Sequence, residues 1–250
     1  MEQEYFSKAP IIEAIIDLRV TLPSDVTLMQ LSEVGDAIAD RFPDRHDLVK
    51  NEFLFEGDQE PSANATVQTH GFVLDHKDKR TVLQISLDGF TFKMLHPYDR
   101  WETFRSEAME LWDLYCRICR PLNVVRVAVR YINRLDLPAT LKDFKDYLRI
   151  VPEVAADLPQ QGLSGYFMQL QIPQTDIAPD CMLILNESLV PPVVPDTIPV
   201  ILDLDLFCMR PRNPWKTEDE SVWALLEQLR IRKNEVFKAS ITPTMQELIR

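Results

Sequence analysis

The chain has 250 residues, a net charge of −12, 46% hydrophobic and 26% charged residues, an ordinary globular balance that excludes a chain disordered over most of its length. Its six glycines are scattered, which excludes a glycine-rich phosphate loop. The acidity is concentrated in residues 1–60, where fourteen Asp/Glu face five Lys/Arg, and an acidic chain is ill suited to nonspecific nucleic-acid binding.

Ile11–Val20 is β-branched and apolar with charges on alternate positions, and predicts a strand. Thr27-Leu28-Met29-Gln30 is a capping box, followed at helical spacing by Leu28, Leu31, Gly35, Ile38 and Phe42. Strands are expected over Asn51–Glu56, Thr66–Asp75 and Thr81–Leu95, with the polar link 76–80 as a hairpin. Asp99 is the expected cap of a long helix whose apolar stripe is Trp101, Phe104, Ala108, Leu111, Tyr115 and Ile118, closed by Pro121.

The second half begins with a strand over Val124–Leu135 and a short helix capped by Thr140 that carries Leu141, Phe144 and Leu148. Strands follow at Gly165–Ile172, Met182–Glu187 and Val200–Cys208. Thr217 to Glu220 reads as a second capping box, opening a helix with Val222, Leu225, Leu226, Leu229 and Val236 on its apolar side; Arg230, Arg232 and Lys233 suit its dipole. Thr242-Pro243 starts a last short helix.

The expected fold is α+β. Both halves, 1–121 and 122–250, read strand, helix, three strands, long helix, and together predict one continuous unit: an antiparallel sheet with helices packed on one face. By analogy at the level of fold, this resembles the duplicated topology of the TATA-binding protein, which by itself confers no DNA binding.

Side chains alternate across a strand. Arg126, Arg130 and Arg134 therefore share the face opposite Val125, Val127, Val129 and Tyr131. Glu13 and Asp17, with Arg19, oppose Ile12, Ala14, Ile16 and Leu18, and Asp203 and Asp205 oppose Leu202, Leu204 and Leu206. One sheet face thus collects Glu13, Asp17, Arg126, Arg130, Arg134, Asp203 and Asp205 as candidate binding residues. Two readings stay open: a polar binding surface, or an Arg–carboxylate ladder finishing a half-exposed sheet.

No catalytic residue, metal site or cofactor is expected. Asp203 and Asp205 point the same way, as a Mg²⁺ pair would, but carboxylates on a wet strand face are common. Cys116 and Cys119 form a single pair at a helix end, where core packing is the better reading than zinc or redox chemistry; Cys181 and Cys208 are expected far apart. Met1–Pro10 is polar and acidic, and no run approaches the ~18 apolar residues of a membrane span. The expectation is a cytoplasmic chain with reduced thiols and no membrane association.

Three stretches carry a family resemblance: Ala9-Pro10-Ile11-Ile12-Glu13-Ala14-Ile15, Arg130-Tyr131-Ile132-Asn133-Arg134 and Phe237-Lys238-Ala239-Ser240-Ile241-Thr242. The chain resembles a sporadically distributed prokaryotic family of about this length and without established function. The resemblance brings no catalytic residues; the family's patchy distribution implies accessory, mobile or defence-associated genes. The function expected is a non-catalytic protein-interaction component, an accessory or neutralising partner in a bacterial defence or toxin–antitoxin-like system. The alternatives are a nucleic-acid-binding protein using the arginine-bearing face and a metal-dependent enzyme using Asp203 and Asp205. The expected partner is another protein; a second copy of the chain is admitted, and nucleic acid is less favoured.

Overall fold

A computed structural model describes residues 8–53, 65–160 and 162–250. In chain order the elements are β1 (Ile11–Thr21), α1 (Leu28–Ala37), β2 (Asp44–Phe53), β3 (Ala65–Asp75), β4 (Thr81–Ser86), β5 (Gly89–Leu95) and α2 (Trp101–Cys119). After these come β6 (Asn123–Pro138), a single 3₁₀ turn at Phe144–Asp146, β7 (Phe167–Pro173), β8 (Cys181–Leu189), β9 (Thr197–Met209), α3 (Glu220–Ser240) and α4 (Pro243–Leu248). The protein is mixed α+β: all strands join one nine-stranded antiparallel sheet in the order β2-β3-β4-β5-β1-β6-β9-β8-β7.

The alternation seen in the sequence decides which face is buried. Ala14, Ile16 and Leu18 of β1 stand opposite Met94, Phe92 and Phe90 of β5 and opposite Tyr131, Val129 and Val127 of β6. Leu202, Leu204, Leu206 and Cys208 of β9 continue the row into Leu185, Leu183 and Cys181 of β8. All of these are buried, at roughly 1.5–3 kcal/mol for each large apolar side chain taken from water.

The helices pack on this apolar face. Phe104 of α2 stacks on Phe92 with centroids 5.3 Å apart, and Trp112 meets Phe90 edge-on at 5.5 Å. α3 lies on β6 and β9, and α1 on β3, β4 and α2. One hydrophobic core runs beneath both halves of the chain. No helix among the described residues is long and apolar enough to cross a membrane.

Several expectations change. The strand expected over Thr81–Leu95 is a hairpin, turned at Leu87-Asp88 with Ser86 opposite Gly89. Gly89 is required by close approach, since a Cβ there would come within 2.9 Å of the Leu18 carbonyl oxygen. β2 starts at Asp44 rather than Asn51; residues 54–56 of the expected strand lie outside the described residues. The Thr27 capping box is present as read, but α2 is capped by Arg100, not Asp99, and without a side-chain hydrogen bond.

No helix follows Thr140. Asp143 caps only the 3₁₀ turn, and Leu148 is instead drawn into a β-bridge with Ile241. Thr217 does not cap α3; it donates to the Pro121 carbonyl, while Asp219 accepts the Ser221 N–H at 2.8 Å. The element orders of the two halves therefore differ: helix and four strands follow β1, and a 3₁₀ turn and three strands follow β6.

Cys181 and Cys208, expected far apart as reduced thiols, face each other on adjacent strands and are joined by a disulfide. Met209 N–H donates to the Asp180 carbonyl at 3.1 Å. The two cysteines thus form a non-hydrogen-bonded pair, the closer of the two antiparallel pairings. Disulfides belong to oxidising compartments, so this pair weighs against the reduced environment expected from the sequence. Burial pushes the Cys116 and Cys119 thiols up to about 12, in keeping with a packing role.

Candidate functional site

On the face opposite α2 and α3, four neighbouring strands, β5, β1, β6 and β9, lay charged groups side by side, and β8 adds an amide. Ala128, small and buried between Arg126 and Arg130, leaves room for Arg126 to lie along the strand. Its guanidinium sits 4.5 Å from the ring centroid of Phe207, the cross-strand neighbour of Ala128. Stretched this way it joins two carboxylates: Nη1 donates to Asp17 Oδ1 at 2.5 Å, and Nη2 to both oxygens of Asp205 at 3.0 and 3.2 Å. The other oxygen of Asp17 accepts from Thr91 Oγ1 at 2.8 Å and lies 2.9 Å from Arg19 Nη2. Arg19 bonds Asp17 on one side and Asp88 on the other.

A second line runs beside the first. Arg130 holds Asp203 through Nε at 2.8 Å and Nη2 at 2.7 Å, and Asn186 Nδ2 donates to the same carboxylate at 3.0 Å. Glu13 pairs with Lys93 across β1 and β5 at 3.4 Å.

The charges are unevenly open to water. The Arg130 and Arg19 side chains are 42% and 41% exposed, whereas those of Asp203 and Asp17 are 7% and 10% exposed. Asp17 and Asp203 form the floor and Arg19 and Arg130 the surface, while Arg126 lies as deep as Asp205. Hydrogen bonds to Asp203 hold Arg130 charged. Burial pushes the Asp205 carboxyl above the usual range, against the opposing pull of Arg126 and Arg130.

Six of the seven residues singled out in the sequence lie in this assembly: Glu13, Asp17, Arg126, Arg130, Asp203 and Asp205. Arg134 does not. Its Nε bonds Asp136 at 3.0 Å, its Nη2 is shut from solvent without an acceptor, and it lines a separate cleft of about 340 Å³ with Lys8, His96, Met245 and Leu248. Asp203 and Asp205, side by side as expected, have their oxygens engaged by guanidinium groups rather than converging on a shared point. Among the described residues no group of three or more His, Cys, Asp or Glu is arranged to hold a metal ion.

Sequence reasoning missed Thr91, Lys93 and Asn186, although each alternates with apolar neighbours: Thr91 and Lys93 with Phe90, Phe92 and Met94, and Asn186 with Leu183 and Leu185. It also missed the ionisable groups under the helices. Lys233 of α3 is buried with Nζ 3.7 Å from the Tyr131 ring centroid. Burial, then Arg230, pushes its ammonium down to about 7. Glu187 of β8 is fully buried with only Oε1 bonded, by Tyr166 O–H at 2.8 Å, and burial pushes its carboxyl up to about 7. No protein-family model matches the chain, and no curated protein matches it either.

Proposed function

We propose that the protein is a non-catalytic interaction component that binds another protein through the charged sheet face. The observation that carries this reading is the layering of that face. Nearly buried carboxylates hold Arg19 and Arg130 in fixed positions with their guanidinium groups toward solvent. Arginine held in place loses little side-chain freedom on binding, and arginine is enriched among residues that dominate interface energetics. Such a surface suits a partner that offers backbone carbonyls and other neutral acceptors.

The pairing weighs against nucleic acid. Every guanidinium on this face already has a carboxylate, so few counterions remain for phosphates to release. The resemblance of Ala9–Ile15, Arg130–Arg134 and Phe237–Thr242 to a sporadically distributed prokaryotic family supports placing the partner in a defence or toxin–antitoxin-like system. We also read the sheet as two related halves meeting at β1 and β6, in the manner of the TATA-binding-protein topology. The flanking order supports this, with β5-β4-β3 beyond β1 and β9-β8-β7 beyond β6.

The test is affinity capture from the native host with the parent chain and with Arg130→Gln, which keeps a donor for Asp203 while removing the charge. The expected result is one stoichiometric protein captured by the parent and lost by the variant, whose circular-dichroism spectrum remains that of the folded parent. Equal capture by both, or nucleic acid in place of protein, overturns the reading.

A further inference from the structure

The two edges of the sheet are unlike. β2 carries Asp44, Arg45, His46, Asp47 and Lys50 and has a register irregularity at Leu48/Val49. Charges and bulges are the ordinary means of keeping an edge strand from pairing with another chain. β7, at the opposite edge, reads Phe-Met-Gln-Leu-Gln-Ile-Pro; it has no charged residue, and the register of its pairing with β8 is unbroken.

The backbone of β7 is also open. Leu189 N–H donates to the Tyr166 carbonyl at 3.2 Å and Gln174 N–H to the Cys181 carbonyl at 2.9 Å. In an antiparallel ladder these two bonds set the alternation: Met168, Leu170 and Ile172 turn their backbone groups toward β8, while Phe167, Gln169 and Gln171 turn theirs away from the sheet. Among the described residues no strand lies on that side.

The occupant is written into the strand itself. About Leu170 the sequence is nearly palindromic: Gln169 mirrors Gln171, Met168 mirrors Ile172 and Phe167 mirrors Pro173. We propose that two copies of the chain pair antiparallel through β7 about a two-fold axis at Leu170, joining their sheets into one of eighteen strands. Each outward-facing glutamine backbone then exchanges both hydrogen bonds with its mirror residue, and Phe167 N–H donates to the partner strand's carbonyl at position 173. Leu170 meets its own copy as a non-hydrogen-bonded pair, the closer kind, on the apolar face. Apolar side chains meet apolar ones and amides meet amides, as an isologous interface requires.

Charge does not oppose this contact. Most of the surplus acidity lies in residues 1–60, which supply β1, α1 and the far edge β2. Exposed apolar groups lie at the near end: Phe167 is 69% exposed, and Val193 and Val194, also exposed, sit in the loop that follows β8 beside it. The proposal stands apart from the charged sheet face, and either can fail without the other.

Sedimentation velocity over a concentration series tests it. The full chain should approach twice its 29.0 kDa mass. The double variant Gln169→Lys/Gln171→Lys places like charges directly across the two-fold, on side chains exposed in the monomer. It should raise the dimer dissociation constant roughly tenfold or more with an unchanged circular-dichroism spectrum. Leu170→Cys should form a disulfide-linked dimer on mild oxidation while Gln169→Cys does not, because Gln169 faces position 171 of the other copy. A parent chain that stays monomeric at all concentrations, a dimer that survives the lysine pair, or equal cross-linking at 169 and 170 overturns the proposal.

Discussion

Arg130 grips Asp203 with two nitrogens, one at 2.8 Å and one at 2.7 Å, so that the guanidinium stays half open to water while the carboxylate is almost closed off from it. The pair is bidentate, the stronger geometry for such contacts, and its two members depend on it unequally. Arg130→Ala leaves Asp203 nearly buried with Asn186 as its remaining side-chain donor, and should cost about 2–3 kcal/mol. Asp203→Asn leaves an exposed guanidinium that water can solvate, and should cost about 1 kcal/mol or less. Urea unfolding of the two variants checks the order; equal costs would mean that the carboxylate is better hydrated than its exposure suggests.

Lys233 gives stability a slope on the alkaline side. Its folded value lies near 7, pushed down from an ordinary 10.5. Between those values the unfolded chain holds a proton that the native chain does not, so stability rises with pH across that window. Lys233→Met fills the same space without a charge. It should flatten the rise and add about 1–3 kcal/mol at neutral pH, read from denaturant midpoints measured between neutral pH and pH 10.

Glu187 gives the opposite slope on the acid side. Its folded value is raised from 4.5 to about 7. Between these values the native chain holds a proton that the unfolded chain has released, and stability falls as pH rises. Glu187→Gln keeps an acceptor for Tyr166 and should remove the fall, adding about 1–3 kcal/mol above neutrality. Through these two groups the parent chain should show a shallow stability minimum around neutral pH, and the double variant should not.

The disulfide between Cys181 and Cys208 predicts a thiol count. The denatured, unreduced chain should react at two cysteines, Cys116 and Cys119, and at four after reduction. Because the bridge spans 27 residues, Cys181→Ala/Cys208→Ala should cost roughly 2–4 kcal/mol under oxidising conditions. Four reactive thiols without reductant would show the bridge to be open.

The central strands were legible because β1, β6 and β9 alternate cleanly, and alternation is what a one-sided sheet demands. That same pattern placed six charged residues on one face. It could not give their partners: Arg126 reaches Asp205 although Met209 stands directly opposite it, a lengthwise reach that follows from the room left by Ala128. Arg134 obeys the same alternation but lies farther along β6, beside Asp136 and the α4 cleft, where the ladder has ended. The turn at Leu87-Asp88 was signalled by Asp88-Gly89 and hidden by the apolar residues on both sides. Lys233 lies among Leu229, Val236 and Phe237 on a helix whose cations also suit its dipole, so only packing against Tyr131 reveals that its charge is buried.

β1 lies between β5 and β6, and both neighbours come much later in the chain, from Gly89 and Asn123 onward. An isoleucine-rich strand is therefore made before either neighbour, and it waits unpaired until β5, and on its other side β6, follow it along the chain. Long-range pairing of this kind slows folding and leaves the waiting segment open to association. Nascent chains that stop before β6 should be the most dependent on chaperones, and the last edge of β1 to close is the one that takes β6.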